Sequence, residues 1–211
     1  MDIAVRLTWP KDERGYELVD VPPYKHRTIS GSHEGGLSVA GRGGEQIRYV
    51  LTGTERGVAA KIANTPCTPE GVLNLTNDWG YLTEPGHAYF IEEVYGWILA
   101  LESAFQLAVK GDLISLERRF PEKNIAALKL SFERYGKEAT PRLYLKPANL
   151  INFAWIELML MTSSNIGFRH CANCGNVFTF GLEKGSRSTR QYCSGRCRVA
   201  GHRAKKKATC T

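Results

Sequence analysis

A chain of 211 residues, 43% apolar and 23% charged, has the composition of a globular protein with one good core and room for a small satellite domain. That excludes a disordered or fibrous chain, and the longest apolar stretch, Leu150 to Met161, is interrupted by Asn152 and Glu157 and is too short to span a bilayer. The formal net charge of +7 is unevenly placed: from Phe168 to Thr211 ten Lys/Arg and one acid (Glu183) give +9, whereas the preceding eighteen bases and twenty acids give −2.

The opening residues, MDIAVRLTWPKDERG, lack the basic segment and apolar run of a signal peptide. The expectation is a cytoplasmic protein without a membrane partner, in a compartment where thiols stay reduced. Ala4–Thr8, Tyr16–Val21, Leu37–Ala40 and Gln46–Leu51 read as strands, separated by Pro22-Pro23 and a glycine-rich run whose spacing is not that of a phosphate loop. Residues 1–53 therefore form a β-rich, glycine-rich region.

From 54 to 164 the pattern turns helical, with one β-hairpin. A short helix carries Val58 and Ile62, and a second opens at Thr68-Pro69-Glu70, where a capping hydroxyl precedes proline, and stops near Gly80. The longest helix is expected from about His87 to Lys110, with Val94, Ile98, Leu101, Phe105 and Ala108 on one stripe. Asp112 caps a shorter helix to Phe120, Lys129–Glu133 and Arg142–Lys146 pair as a hairpin, and Ala148–Met161 forms a helix apolar on most sides. The polar and aromatic close at Asn77-Asp78-Trp79-Gly80 reads as a packed helix end.

Residues 165–211 organise the rest. Cys171 and Cys174 are separated by two residues and Cys193 and Cys197 by three, with eighteen between the pairs. Two such short-range pairs supply the four thiolates that a structural zinc ion needs. Gly175-Asn176 allows the first pair to turn tightly, and Ser194 is placed to cap a helix with Cys197 in its first turn. Knuckle, Val177–Phe180 hairpin, loop and helix is the order of a treble-clef finger. His170 and His202 flank the site as spare nitrogen donors, Cys67 is expected to be a small buried residue, and Cys210 a tail thiol. Disulfides and a redox Cys-x-x-Cys are the rival readings; the first needs an oxidising compartment and the second leaves Cys193 and Cys197 unexplained.

The same segment resembles the CGNR-type zinc fingers of bacterial regulators, in which the finger follows a mixed N-terminal domain called ABATE. The matching residues are Cys171-Ala172, the aromatics Phe178 and Phe180, the loop Ser186 to Arg190, Tyr192-Cys193-Ser194, and Arg203 with the basic tail. Upstream, Glu70 to Asn77 and the helix before the finger are similar to that group. The likeness is strong over about forty residues. It departs after the last cysteine, where Arg198-Val199-Ala200 stands in place of Gly-Asn-Arg, and the first knuckle is two residues tighter. The resemblance implies a DNA-associated, transcription-linked role, and any contact made by the missing Asn and Arg does not carry over.

The fold expected is α+β: a mainly helical N-terminal domain with short strands, plus a small zinc finger. The leading functional expectation is a nucleic-acid-binding regulatory protein, with DNA preferred to RNA. Arg187, Arg190, Arg196, Arg198, Arg203, Lys205, Lys206 and Lys207 would meet phosphates or bases. The alternative is a protein-interaction adaptor, including a toxin–antitoxin or phage-defence subunit, that engages a protein partner through the helical domain. No catalytic residues are assigned: there is no His-Glu-x-x-His and no paired carboxylate, and a closed four-cysteine site offers no open metal position.

Overall fold

Val5, Leu7 and Trp9 alternate inward along the first strand while Thr8 faces solvent, the period-two pattern of a half-buried strand. The computed structural model describes residues 4–21, 24–25, 32–33, 36–52, 57–83, 89–120, 129–133, 142–164, 166–181 and 189–208. In it, β1 (Ala4–Asp12) runs four residues beyond its expected end, because β6 (Gln46–Thr52) pairs with it antiparallel all the way from Arg6 to Asp12. On its other side β1 lies parallel to β9 (Arg142–Lys146), which forms the expected hairpin with β8 (Lys129–Glu133). The resulting four-stranded order is β6-β1-β9-β8.

A second sheet joins β2 (Tyr16–Val21), β5 (Gly36–Gly41) and β7 (Tyr89–Phe90). Two-residue strands β3 (Tyr24–Lys25) and β4 (Ser32–His33) pair separately. Buried Asp12 gathers the glycine-rich turn, its carboxylate accepting from the N–H groups of Arg14, Gly43 and Gly44 at 2.8–3.2 Å. These glycines thus serve a turn, and Gly31 and Gly35 lie outside the described residues.

The helices are α1 (Val58–Ala63), α2 (Pro69–Trp79), α3 (Ile91–Lys110), α4 (Leu113–Arg119), α5 (Leu150–Ser163) and α6 (Gly195–Ala208). Their ends follow local chemistry. The Thr68 hydroxyl accepts from Gly71 N–H ahead of Pro69, Asp112 from Ser115, and Asn149 from Asn152, while Gly111 closes α3 in the left-handed region. Two boundaries move. Helix α3 starts at Ile91 rather than near His87, because Tyr89 and Phe90 pair with Val39 and Ser38 as β7. Helix α5 starts at Leu150 rather than Ala148, because Asn149 is its cap.

Helix α5 is buried on nearly every side and forms the centre of one core that extends from Val5 to Val177. Its one carboxylate is matched. Buried Glu157 accepts from Gly57 N–H at 2.6 Å and Ala59 N–H at 2.7 Å, satisfying donors at the start of α1. Asn77 at the close of α2 accepts from Tyr16 N–H and donates to Leu73 C=O, tying the helix end to β2. No helix among the described residues is long and apolar enough to cross a membrane.

Candidate metal centre

The first cysteine pair sits at the tip of a hairpin. Strand β10 (Gly167–His170) pairs antiparallel with β11 (Val177–Phe180), and residues 171–176 connect them. The spacing predicts a hairpin after the knuckle; its first strand in fact precedes it, so the knuckle is the hairpin's own turn. Cys171 N–H donates to Asn176 and Gly175 N–H back to Cys171, both at 2.9 Å, with Gly175 at φ 77°, a conformation that favours glycine.

The second pair sits where the chain enters α6. Ser194 Oγ accepts from Cys197 N–H at 3.2 Å and Ser194 C=O from Arg198 N–H at 3.1 Å, placing Cys197 in the first turn. A bond from Ala172 N–H to Gln191 C=O, 2.9 Å, ties the halves together.

These two supports bring all four sulfurs within 4.8 Å of one another. The Cys174–Cys193 and Cys193–Cys197 separations are 3.8 and 3.5 Å, far beyond a disulfide bond, and the thiols are free. The four cysteines are therefore positioned to hold a metal ion. Burial opposes ionisation of Cys171, but N–H groups of Cys193, Cys174 and Asn173 directed at its sulfur outweigh this and bring the thiol down to about 6. The Ser194 hydroxyl lowers Cys197. Burial, together with the neighbouring thiols, pushes Cys193 up to about 12. Cys174 is also raised, its bond from Asn176 N–H being outweighed by burial and by Cys171. Four sulfurs this close cannot all carry charge unless a cation lies among them, and backbone donors at Cys171 and the Ser194 hydroxyl at Cys197 already favour thiolate at two.

The remaining predicted residues divide. Arg196, Arg198, Arg203, Lys205 and Lys206 are exposed along α6, Lys207 lies within the same helix, and Arg187 is outside the described residues. Arg190 is turned to the finger itself. Its guanidinium donates to Tyr192 C=O at 2.9 Å and to Cys193 C=O, and lies 5.3 Å from the centre of the Phe178 ring. Arg169, unremarked in the sequence, pairs similarly, donating to Arg190 C=O at 2.8 Å and stacking 4.7 Å from Phe180.

His170 is not among the clustered donors: Nδ1 faces Gly175 C=O at 2.9 Å and Nε2 faces Gln106 of α3 at 3.1 Å. His202 is exposed and lies beside Tyr192. Cys67 is exposed, not buried as expected, because it falls in the turn that leads into α2. Cys210 lies outside the described residues.

A further correction concerns α6. Spacing alone would turn Val199 and Ala200 toward the finger, yet both are exposed and Gly201 is buried instead. Tyr192 packs against this point: a Cβ on Gly201 would come within 2.6 Å of its ring.

The finger is anchored to the helical core by residues with no sequence signature. The Asn64 amide at the end of α1 both donates to and accepts from the Val177 backbone, each bond 2.8 Å. Phe168 meets Phe105 of α3 edge to face at 5.7 Å. Compared with known proteins, the chain matches no family model and no curated protein.

Proposed function

We propose that residues 166–208 form a structural zinc finger of treble-clef type, and that the protein is a DNA-associated regulatory protein that uses α6 to bind nucleic acid. Zinc is the metal that best suits four thiolates in a closed shell: at about 2.3 Å from sulfur it sets tetrahedron edges of about 3.8 Å, which two of the separations here match at 3.5 and 3.8 Å, with all four sulfurs within 4.8 Å. A shell of this kind holds shape and leaves no position for water, so the ion's part is structural. A hairpin knuckle followed by a helix-borne pair is the plan of a treble clef, and the likeness to CGNR-type fingers over about forty residues supports the same reading.

The observation that carries the function is the charge of α6. The helix contains no acid, and Arg196 and Arg198 stand at its positive end, where each cation costs about 0.3–1 kcal/mol. Four thiolates around a divalent ion would carry a net charge of about −2 beside these arginines and offset that cost, and Lys205 and Lys206 lie toward the end of the helix that favours cations. What remains is a run of cations without an acid that exceeds the charge of the cluster and suits a polyanionic partner. Phosphate contacts of this kind give affinity that falls with salt, each contributing about 0.9 to the slope on duplex DNA. Titrating labelled oligonucleotides at several salt concentrations should show steep salt dependence, flattened in the Lys205→Gln/Lys206→Gln/Lys207→Gln variant with metal content unchanged. Absence of binding to any oligonucleotide contradicts the reading.

A second reading, a protein-interaction adaptor, is favoured by Leu99, Leu113 and Ile114, which are more than half exposed on α3 and α4. Binding through them would vary little with salt.

A further inference from the structure

If α6 binds nucleic acid, the reading on which a narrower assignment rests, the finger's exposed side chains discriminate between kinds of nucleic acid. Single strands are held chiefly by aromatic faces on which bases stack. Here Arg190 lies over one face of Phe178 and Arg169 over one face of Phe180, and the Tyr192 ring abuts Gly201. Helix α6 itself carries no Phe, Tyr or Trp.

The helix instead presents a mixed face. Arg196, Val199, Arg203 and Lys206 are spaced three, four and three residues apart, which places them on one side, and all are exposed. Val199, 47% exposed, is the one large apolar residue on that side. Arg198 and Lys205, seven residues apart and both exposed, share a shoulder. With its side chains, an α-helix is about 10–12 Å across and fits the major groove of B-DNA, about 12 Å wide. It does not fit the deep, narrow major groove of an RNA duplex.

We infer that α6 is a recognition helix for the major groove of duplex DNA, with Val199 set against a thymine methyl group, Arg196 and Arg203 directed at base edges beside it, and Arg198 and Lys205 on phosphates. A branched apolar side chain amid arginines suits thymine, whose methyl is the only apolar group on that groove edge, and an arginine fork suits guanine.

The test uses full-length, zinc-loaded protein. Sites are first selected from a pool of DNA duplexes with random cores, and the selected sequence is then compared as DNA duplex, RNA duplex and single strand. The expected result is a thymine-containing site bound at least about tenfold better as DNA duplex than in either other form. Replacing the key thymine by deoxyuridine, which lacks only the methyl, should weaken wild type about threefold or more and have a smaller effect on Val199→Ser, which has no methyl group to set against it. Arg196→Lys keeps the charge and loses the fork, so it should lower selectivity while preserving the salt slope.

Duplex DNA binding without sequence preference, or insensitivity of wild type to every thymine-to-deoxyuridine change, overturns the recognition-helix assignment and leaves nucleic-acid binding standing. Preference for RNA or single strands does the same. Failure to bind any of the three removes both.

Discussion

At the scale of single residues, the four thiols are the informative groups because their environments differ. Cys171 comes down to about 6, since burial is outweighed by the N–H groups directed at it, and Cys193 is pushed up to about 12 by burial and its sulfur neighbours. In metal-free protein, stability from Cys171 is present above the ordinary thiol value of 9.0 and is lost as pH falls through about 6. That from Cys193 has the opposite sense: it is present below the ordinary value and lost as pH rises toward about 12. Stability of the metal-free finger should therefore peak near the ordinary thiol value, and thiolate absorbance should rise in well-separated steps, the first near pH 6. A single step near the ordinary value would show that neither the N–H donors at Cys171 nor the burial of Cys193 acts as described. Arg190 acts one shell further out, holding the carbonyls of Tyr192 and Cys193. Arg190→Ala should weaken metal retention by about ten- to a hundredfold in competition with a chelator.

At the scale of elements, what was legible in the sequence was what neighbouring residues determine. The cysteine spacing, the Thr68, Asp112 and Ser194 caps, the apolar stripe of α3 and the all-round apolar α5 each express a local rule, and each is present. What was missed depends on distant partners. Strand β7 exists because Ser38 and Val39 offer it an edge, and β10, with no alternation of its own, because β11 returns alongside it. Arg190 reads as one more exposed cation until Phe178 is seen beneath it. The same applies to the inner face of α6, decided by Tyr192 and Gly201 rather than by the most apolar residue nearby. Gly201→Val should therefore cost the finger about 1–3 kcal/mol by overpacking, whereas Val199→Ala should cost little. Amide exchange along α6 compares the two, and equal effects would contradict the observed facing of the helix.

At the scale of the whole molecule, one core supports a small, basic, sulfur-held appendage. The core is filled by α5 and its neighbours, Glu157 and Asp12 are satisfied within it by backbone donors, and Ile166 and Val177 join it from the cysteine-bearing segment. The appendage has little apolar interior: Val177 and Phe178 are buried, but the chain entering α6 is held mainly by hydrogen bonds and the sulfur cluster. Along the sequence, residues 168–211 carry +9 and the rest −2. The proposed finger depends on an ion among the four sulfurs. The most direct test is native mass spectrometry with elemental analysis of protein purified without added metal, on wild type and Cys193→Ser. One zinc per wild-type chain is expected, none in the variant, and loss of amide protection in the variant confined to the finger. Wild-type protein that is metal-free with α6 fully protected would contradict a metal-held finger.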